Sequence, residues 1–74
     1  MSPDQLDEAL RDIRWTPDIL ACALGCDVSL VHAWLSDDIE IPLNAGAWVG
    51  ALAESHRAME RLKPMTLKGK RFRG

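Results

Sequence analysis

The fold is decided by residues 17–36, which read PDILACALGCDVSLVHAWLS. The part before Gly25 has the apolar spacing of a short helix, and Thr16 supplies a capping hydroxyl ahead of it. Gly25 suits a left-handed turn, and Asp27 is a good N-cap for a second helix over 28–36. Two short helices joined by a glycine-containing turn of about three residues form a helix-turn-helix motif.

Five positions form the predicted core of this motif: Leu20, Ala21, Gly25, Val31 and Trp34. Ala21 lies where the two helices cross, so a larger side chain would hold them apart. Val31 anchors the second helix on the first, and Leu20 and Trp34 fill the space below, together with Leu24. We also expect Trp15 in the core.

Helical patterns flank the motif on both sides. Ser2 and Pro3 open a first helix, which ends near Arg14 or Trp15 because Pro17 disfavours a helical Thr16. After a loop over 37–42, Asn44 is predicted to cap a last helix that runs to about Leu62. Gly46 and Gly50 within it predict close packing against a neighbouring helix. No segment alternates like a strand, so we expect an all-α, compact bundle of four or five helices.

The charge divides the chain into two predicted regions. The 74 residues carry a net charge of −2. Residues 1–62, the predicted domain, hold all 11 acids and only four of the nine bases. Residues 63–74 hold the other five bases and no acid, and they lack a helical period. We predict an acidic helical domain followed by a basic, mobile C-terminal tail.

Several classes of function are disfavoured by what the sequence lacks. Cys22 and Cys26 do not have a C-x-x-C spacing, so we expect no metal and interpret both as free, buried cysteines. Neither a nucleophile with its base nor a phosphate-binding loop is recognisable, so we expect no enzyme, cofactor or small-molecule substrate. The apolar stretches are too short to span a membrane, and the N-terminus lacks the pattern of a signal peptide. We therefore expect a cytoplasmic protein.

The motif resembles the helix-turn-helix of the phage lambda-repressor and Cro-like (xenobiotic-response-element-type) regulators. The residues that carry the resemblance are Leu20-Ala21, Leu24-Gly25-Cys26-Asp27, Val31, Trp34-Leu35 and Ile41-Pro42, and it covers about residues 5–62. The resemblance implies a five-helix lambda-repressor-like fold. It also implies sequence-specific binding to double-stranded DNA, usually as a homodimer that represses transcription at a palindromic operator.

Residues of the second motif helix are the candidates for reading DNA. Outward positions near the start of such a helix enter the major groove, which predicts base contacts from Val28, Ser29, His32 and Ala33. Without Arg, Lys, Asn or Gln in this helix, we expect modest specificity, with some supplied by DNA shape. The family's layout implies backbone contacts from Thr16, Ser36 and Asn44. The basic tail adds candidate phosphate contacts at Lys68, Lys70, Arg71 and Arg73.

A second interpretation stays open, in which the fold is kept as a protein-interaction module without specific DNA binding. Asp37 and Asp38 directly follow the second motif helix and would repel phosphates, which departs from the family's usual pattern. Trp48, Leu52 and Met59 share one stripe of the last helix, which belongs either to the core or to the edge of a dimer interface, and of the two we favour the core. We interpret His56 as a half-exposed surface residue.

Overall fold

The computed structural model describes residues 1–67 and 69–72, with only the backbone of Met65. Its helices are α1 (Pro3–Ile13), α2 (Pro17–Leu24), α3 (Val28–Leu35) and α4 (Leu43–Arg61), followed by a short 3₁₀ turn at Met65–Leu67. The described residues contain no β-strand, which confirms the all-α prediction. The tail was predicted to lack helical structure, and the 3₁₀ turn corrects that in part.

Each of the first three helices starts with a side-chain cap, as predicted. The Gln5 backbone N–H donates to the Ser2 hydroxyl at 3.1 Å, and the Ser2 N–H donates back to the Gln5 side chain at 2.9 Å. The Thr16 hydroxyl accepts from a backbone N–H of α2 at 3.3 Å, and the Asp27 carboxylate accepts from one of α3 at 2.8 Å. These bonds satisfy amides that have no partner within the helix.

The same three helices also share one type of C-terminal end. A residue in the left-handed conformation follows each of them: Arg14 (φ 60°), Gly25 (φ 72°) and Asp37 (φ 63°). The next amide bonds back to a carbonyl five residues earlier: Trp15 to Leu10, Cys26 to Ala21 and Asp38 to Ala33. This is the Schellman arrangement. Only one of the three left-handed positions is a glycine, and it is the one that the sequence predicted.

The core lies between α1, the helix-turn-helix and the first half of α4. Its buried side chains are Leu6, Ala9, Leu10, Leu20, Ala21, Val31, Trp34, Ile41, Val49 and Ala53. The closest packing pairs α1 with α4 and α2 with α3, while α1 also contacts α3. Of the predicted motif core, Leu20, Ala21, Val31 and Trp34 are buried, whereas Gly25 is exposed and Leu24 stays 36% exposed.

The predicted compact shape is wrong, because the molecule measures 51 × 23 × 18 Å along its principal axes. With 19 residues, α4 alone is about 28 Å long. Its last buried residue is Ala53, so its final two turns extend beyond the core. Met59 and Leu62 in this part are 71% and 82% exposed.

Several predictions of burial need correction, including the stripe on α4, where Leu52 is only half-buried and Met59 is exposed. Trp48 was assigned to the core and is 40% exposed, and Trp15 is only half-buried. The two indole rings lie 6.2 Å apart at an angle of 56° at the edge of the core. Cys22 is exposed and Cys26 is partly buried, because α2 buries only the side that carries Leu20 and Ala21 and because Cys26 lies in the turn after this helix.

The start of α4 also differs from prediction. Asn44 is not the cap, because α4 already begins at Leu43 after Pro42 and has no side-chain cap. The Asn44 side chain accepts from the next backbone N–H at 2.8 Å instead. A methyl group on Gly46 would come within 3.0 Å of the Met1 Cβ. That glycine therefore makes room for the N-terminal residue rather than for a neighbouring helix.

Candidate nucleic-acid interface

One face of α3 forms a shallow concave surface of about 570 Å³. Its lining residues are Ser29, His32, Ala33, Leu35, Ser36 and Asp38. Four of the residues predicted to contact DNA are therefore neighbours on one surface. His32 is exposed and Ala33 is half-buried, so the imidazole is the more accessible of these two neighbouring side chains.

Val28 does not belong to this surface. It is the first residue of α3, half-buried and packed against the core. The packing reason is that Val28 and Val31 lie three positions apart on the helix, so the first residue turns partly towards the side that Val31 buries. Less of its side chain is available to a thymine methyl than the sequence predicted.

Ser29 and Asp27 form a local hydrogen-bonded pair at the start of α3. The hydroxyl and then the backbone N–H of Ser29 donate to the Asp27 carboxylate and lower the pKa of Asp27 below its ordinary value of 3.8. A negative charge is thus fixed beside the first turn of α3, where it favours the helix dipole. The same charge repels a DNA phosphate that approaches this end of the helix.

The two predicted hydroxyl contacts to the DNA backbone differ in availability. The Thr16 hydroxyl oxygen accepts from the Ile19 N–H, so its own proton stays free to donate to a phosphate. The Ser36 hydroxyl lies 2.9 Å from the His32 carbonyl and 2.9 Å from an Asp38 carboxylate oxygen. Because a hydroxyl has one proton to donate, a phosphate would have to compete for it with those acceptors.

Three other predicted backbone contacts, at Asn44, Lys70 and Arg71, do not line the α3 surface. Asn44 lines a separate groove near the start of α4, beside Leu30 and Trp48. Lys70 and Arg71 are exposed beyond the 3₁₀ turn. Lys68 and Arg73 lie outside the described residues, so their contacts to phosphate remain predictions from the sequence.

Charge around the motif is entirely negative. Residues 15–56, which include all of α2 and α3, hold six acids and no lysine or arginine. The nearest base is Arg14, which is exposed, precedes α2 and forms no ion pair with any described residue. Arg14 was not among the predicted phosphate contacts, although its place as the last base before the motif could have indicated it.

No cluster of three or more potential metal ligands occurs within residues 1–67 and 69–72. Over the same residues, none of the helices has the length and apolar character needed to cross a bilayer. A search of known proteins found no family model, curated protein or solved structure that matches the chain.

Proposed function

We propose that this protein is a lambda-repressor-like, sequence-specific DNA-binding regulator that acts as a homodimeric repressor at a palindromic operator. One observation carries the proposal. Two eight-residue helices, α2 and α3, are joined by a three-residue turn with Gly25 in the left-handed conformation. The second helix leaves Ser29 and His32 exposed beside each other on one surface.

In this proposal α3 enters the major groove. Eight residues make a helix about 12 Å long, which a groove about 12 Å wide can admit. His32 hydrogen-bonds to a base edge, and Ala33 contacts a thymine methyl. The Ser29 hydroxyl donates its proton to Asp27, so it meets a base edge as an acceptor. None of these side chains makes the bidentate contact that discriminates bases most strongly. Part of the sequence preference therefore comes from how easily the operator bends.

The affinity for DNA comes from groups outside α3. The Thr16 hydroxyl and the first amides of α2 bind one phosphate, with Arg14 beside them. The C-terminal bases, including Lys70 and Arg71, follow the DNA backbone. If all five bases of residues 63–74 pair with phosphates, removing that segment lowers the salt-dependence slope by up to ~4.5 per protomer.

Two matched histidines test the role of α3. On a duplex that the full chain selects from a random pool, His32→Ala weakens binding by about 2- to 10-fold, the loss of one hydrogen bond of roughly 0.5–1.5 kcal/mol. His56→Ala is the control, since His56 lies on α4 beside Glu60 at 3.5 Å. Equal affinities of the two variants would remove α3 from the interface.

A second candidate function has its own observation in favour. The absence of bases between residues 15 and 56 is unfavourable for a phosphate backbone and suits a basic protein partner. In that alternative the same face of α3 binds protein, and the fold has lost specific DNA binding. It is preferred if the full chain selects no sequence and binds duplexes only at low salt.

A further inference from the structure

A second concave surface lies between the end of α2, the middle of α3 and the start of α4. It is lined by Leu24, Cys26, Leu30, Trp34, Asn44, Ala45 and Trp48 and has a volume of about 240 Å³. An apolar cavity of about 150 Å³ is enough to hold a benzene ring. All of the lining except Asn44 is apolar, so this groove, which we call the α2–α4 groove, has room for one aromatic side chain.

The α2–α4 groove is open to solvent in the single chain. Leu24, Leu30 and Trp48 remain 36%, 36% and 40% exposed. Contiguous apolar surface of this kind marks an interaction site more often than isolated exposed residues do. The lining itself holds no charged side chain, but all of it belongs to the stretch 15–56, which carries six acids and no lysine or arginine. A segment that combines an apolar anchor with positive charge therefore complements it.

The chain itself contains a segment of that kind. Residues 63–74 hold five bases and no acid. Within this segment Phe72 is 96% exposed and Leu67 is 64% exposed. Phe72 is the only phenylalanine of the protein, and it directly follows Arg71. An aromatic ring of this exposure gains more than any other described side chain of the segment by entering an apolar groove.

We infer that the α2–α4 groove binds the basic C-terminal segment of a second copy of this chain, with Phe72 as the anchor. The inference specifies the dimer contact of the proposed function and rests on that function only for the existence of a dimer. By two-fold symmetry each copy donates its segment to the groove of the other, so the contact is made twice. The bases of the donated segment face the acids of residues 15–56 of the acceptor.

Distance favours the second copy over the same chain. Trp48 lies 13 residues before the end of α4, which corresponds to about 20 Å along the helix axis. To bring Phe72 to the groove of its own chain, residues 62–72 would have to turn back along α4, and no described residue of the single chain holds them there. Phe72 leaves from the far end of α4, and in the single chain its ring makes almost no contact.

The docked segment can keep part of its charge for DNA. In an extended segment neighbouring side chains point to opposite sides. When Phe72 enters the groove, Arg71 therefore points away from it and stays available to an acid or to a phosphate. The dimer contact and the predicted tail contact to DNA are compatible for this residue.

The test is the dimer dissociation constant of the full chain, measured by analytical ultracentrifugation without DNA. Phe72→Ala removes the anchor, and Leu30→Lys places a charge of the tail's own sign in the groove. Each raises the dissociation constant by about 10-fold or more, and high salt weakens the wild-type dimer. Leu62→Ala, at a residue 82% exposed at the end of α4, is the matched control and leaves the constant unchanged.

A mixing experiment separates a direct contact from a structural effect. The Phe72→Ala chain keeps an intact groove, and the Leu30→Lys chain keeps an intact anchor. An equimolar mixture therefore associates more strongly than either variant alone and more weakly than wild type. Circular dichroism on each variant checks that the helices are retained.

Three results would overturn the inference. They are a wild-type chain that stays monomeric at all concentrations, a Phe72→Ala chain that dimerises normally, and a mixture that associates no better than its components. Loss of the dimer in Leu62→Ala alone would instead place the contact at the end of α4. Because the experiment contains no DNA, each of these outcomes can be interpreted even if the proposed DNA binding fails.

Discussion

The first three helices and α4 are stabilised in different ways. Side-chain caps at Ser2, Thr16 and Asp27 begin the short helices, and left-handed residues end them. By contrast, α4 begins at Pro42 without a side-chain cap and ends without a left-handed residue. Helices of 8 to 11 residues are marginal alone, so local end contacts matter for them. The longer α4 relies on packing at Val49 and Ala53 instead.

The largest expected effect is on the free energy of unfolding, and it separates a buried residue of α2 from an exposed residue beyond the end of α4. Leu20 is fully buried in α2, so Leu20→Ala lowers the free energy of unfolding by about 2–5 kcal/mol. Leu62→Ala, beyond the end of α4, changes it by less than about 0.5 kcal/mol. Urea unfolding followed by circular dichroism measures both. Similar losses in the two variants would contradict the location of the core.

The next effect compares the starts of α2 and α4. Thr16→Ala removes a cap bond and costs about 1 kcal/mol of stability. Asn44→Ala removes no cap, because Asn44 lies inside α4, and it costs less than about 0.5 kcal/mol. The urea unfolding midpoints of the two variants, each compared with wild type, measure these two costs. An equal cost at Asn44 would mean that α4 is capped after all.

Substitutions at two left-handed positions, Gly25 and Arg14, are expected to change the stability of the protein in opposite directions. A methyl group on Gly25 meets nothing within 4 Å, so Gly25→Ala costs only the backbone strain, about 1 kcal/mol. Arg14→Gly relieves such strain and stabilises the protein by up to about 1 kcal/mol. Thermal unfolding of both variants gives the signs. Destabilisation by Arg14→Gly would show that the arginine side chain makes contributions beyond its backbone conformation.

The smallest effect is a pH dependence at the start of α3. The Ser29 hydrogen bonds lower the pKa of Asp27 below 3.8, so the carboxylate favours the folded state above that pH. This contribution is fully present above pH 3.8 and is lost as the pH falls through the lowered value. Asp27→Asn keeps a capping oxygen without titrating. Its stability should fall less steeply than that of wild type in acid urea titrations.

Local structure could be predicted from the sequence, whereas features that depend on tertiary position could not. Caps and the turn glycine fixed the bounds of α1 to α3 within about one or two residues, because their hydrogen bonds join near neighbours. Spacing along α4 could not tell that Trp48 lies at the edge of the core. Nor could it show that Met1 covers Gly46, since that contact joins distant parts of the chain.

The candidate interface shows the same division. The exposure of His32 follows from helical period alone, whereas the hydrogen bonds of Ser36 to Asp38 depend on how the chain leaves α3. The α2–α4 groove has no sequence signature, because its residues come from three helices. Arg14 ends α1 two residues before the Thr16 cap of α2, a position that the sequence had already indicated.

The central claim, that α3 reads DNA as part of a dimer, is tested most directly by selection from random duplexes. The full-length chain is incubated with the pool at moderate salt, and the bound DNA is sequenced. We predict enrichment of an inverted repeat whose half-sites lie about one helical turn, 10–10.5 base pairs, or a multiple of it apart. A bound pool without any enriched motif would contradict the claim and favour the protein-interaction module.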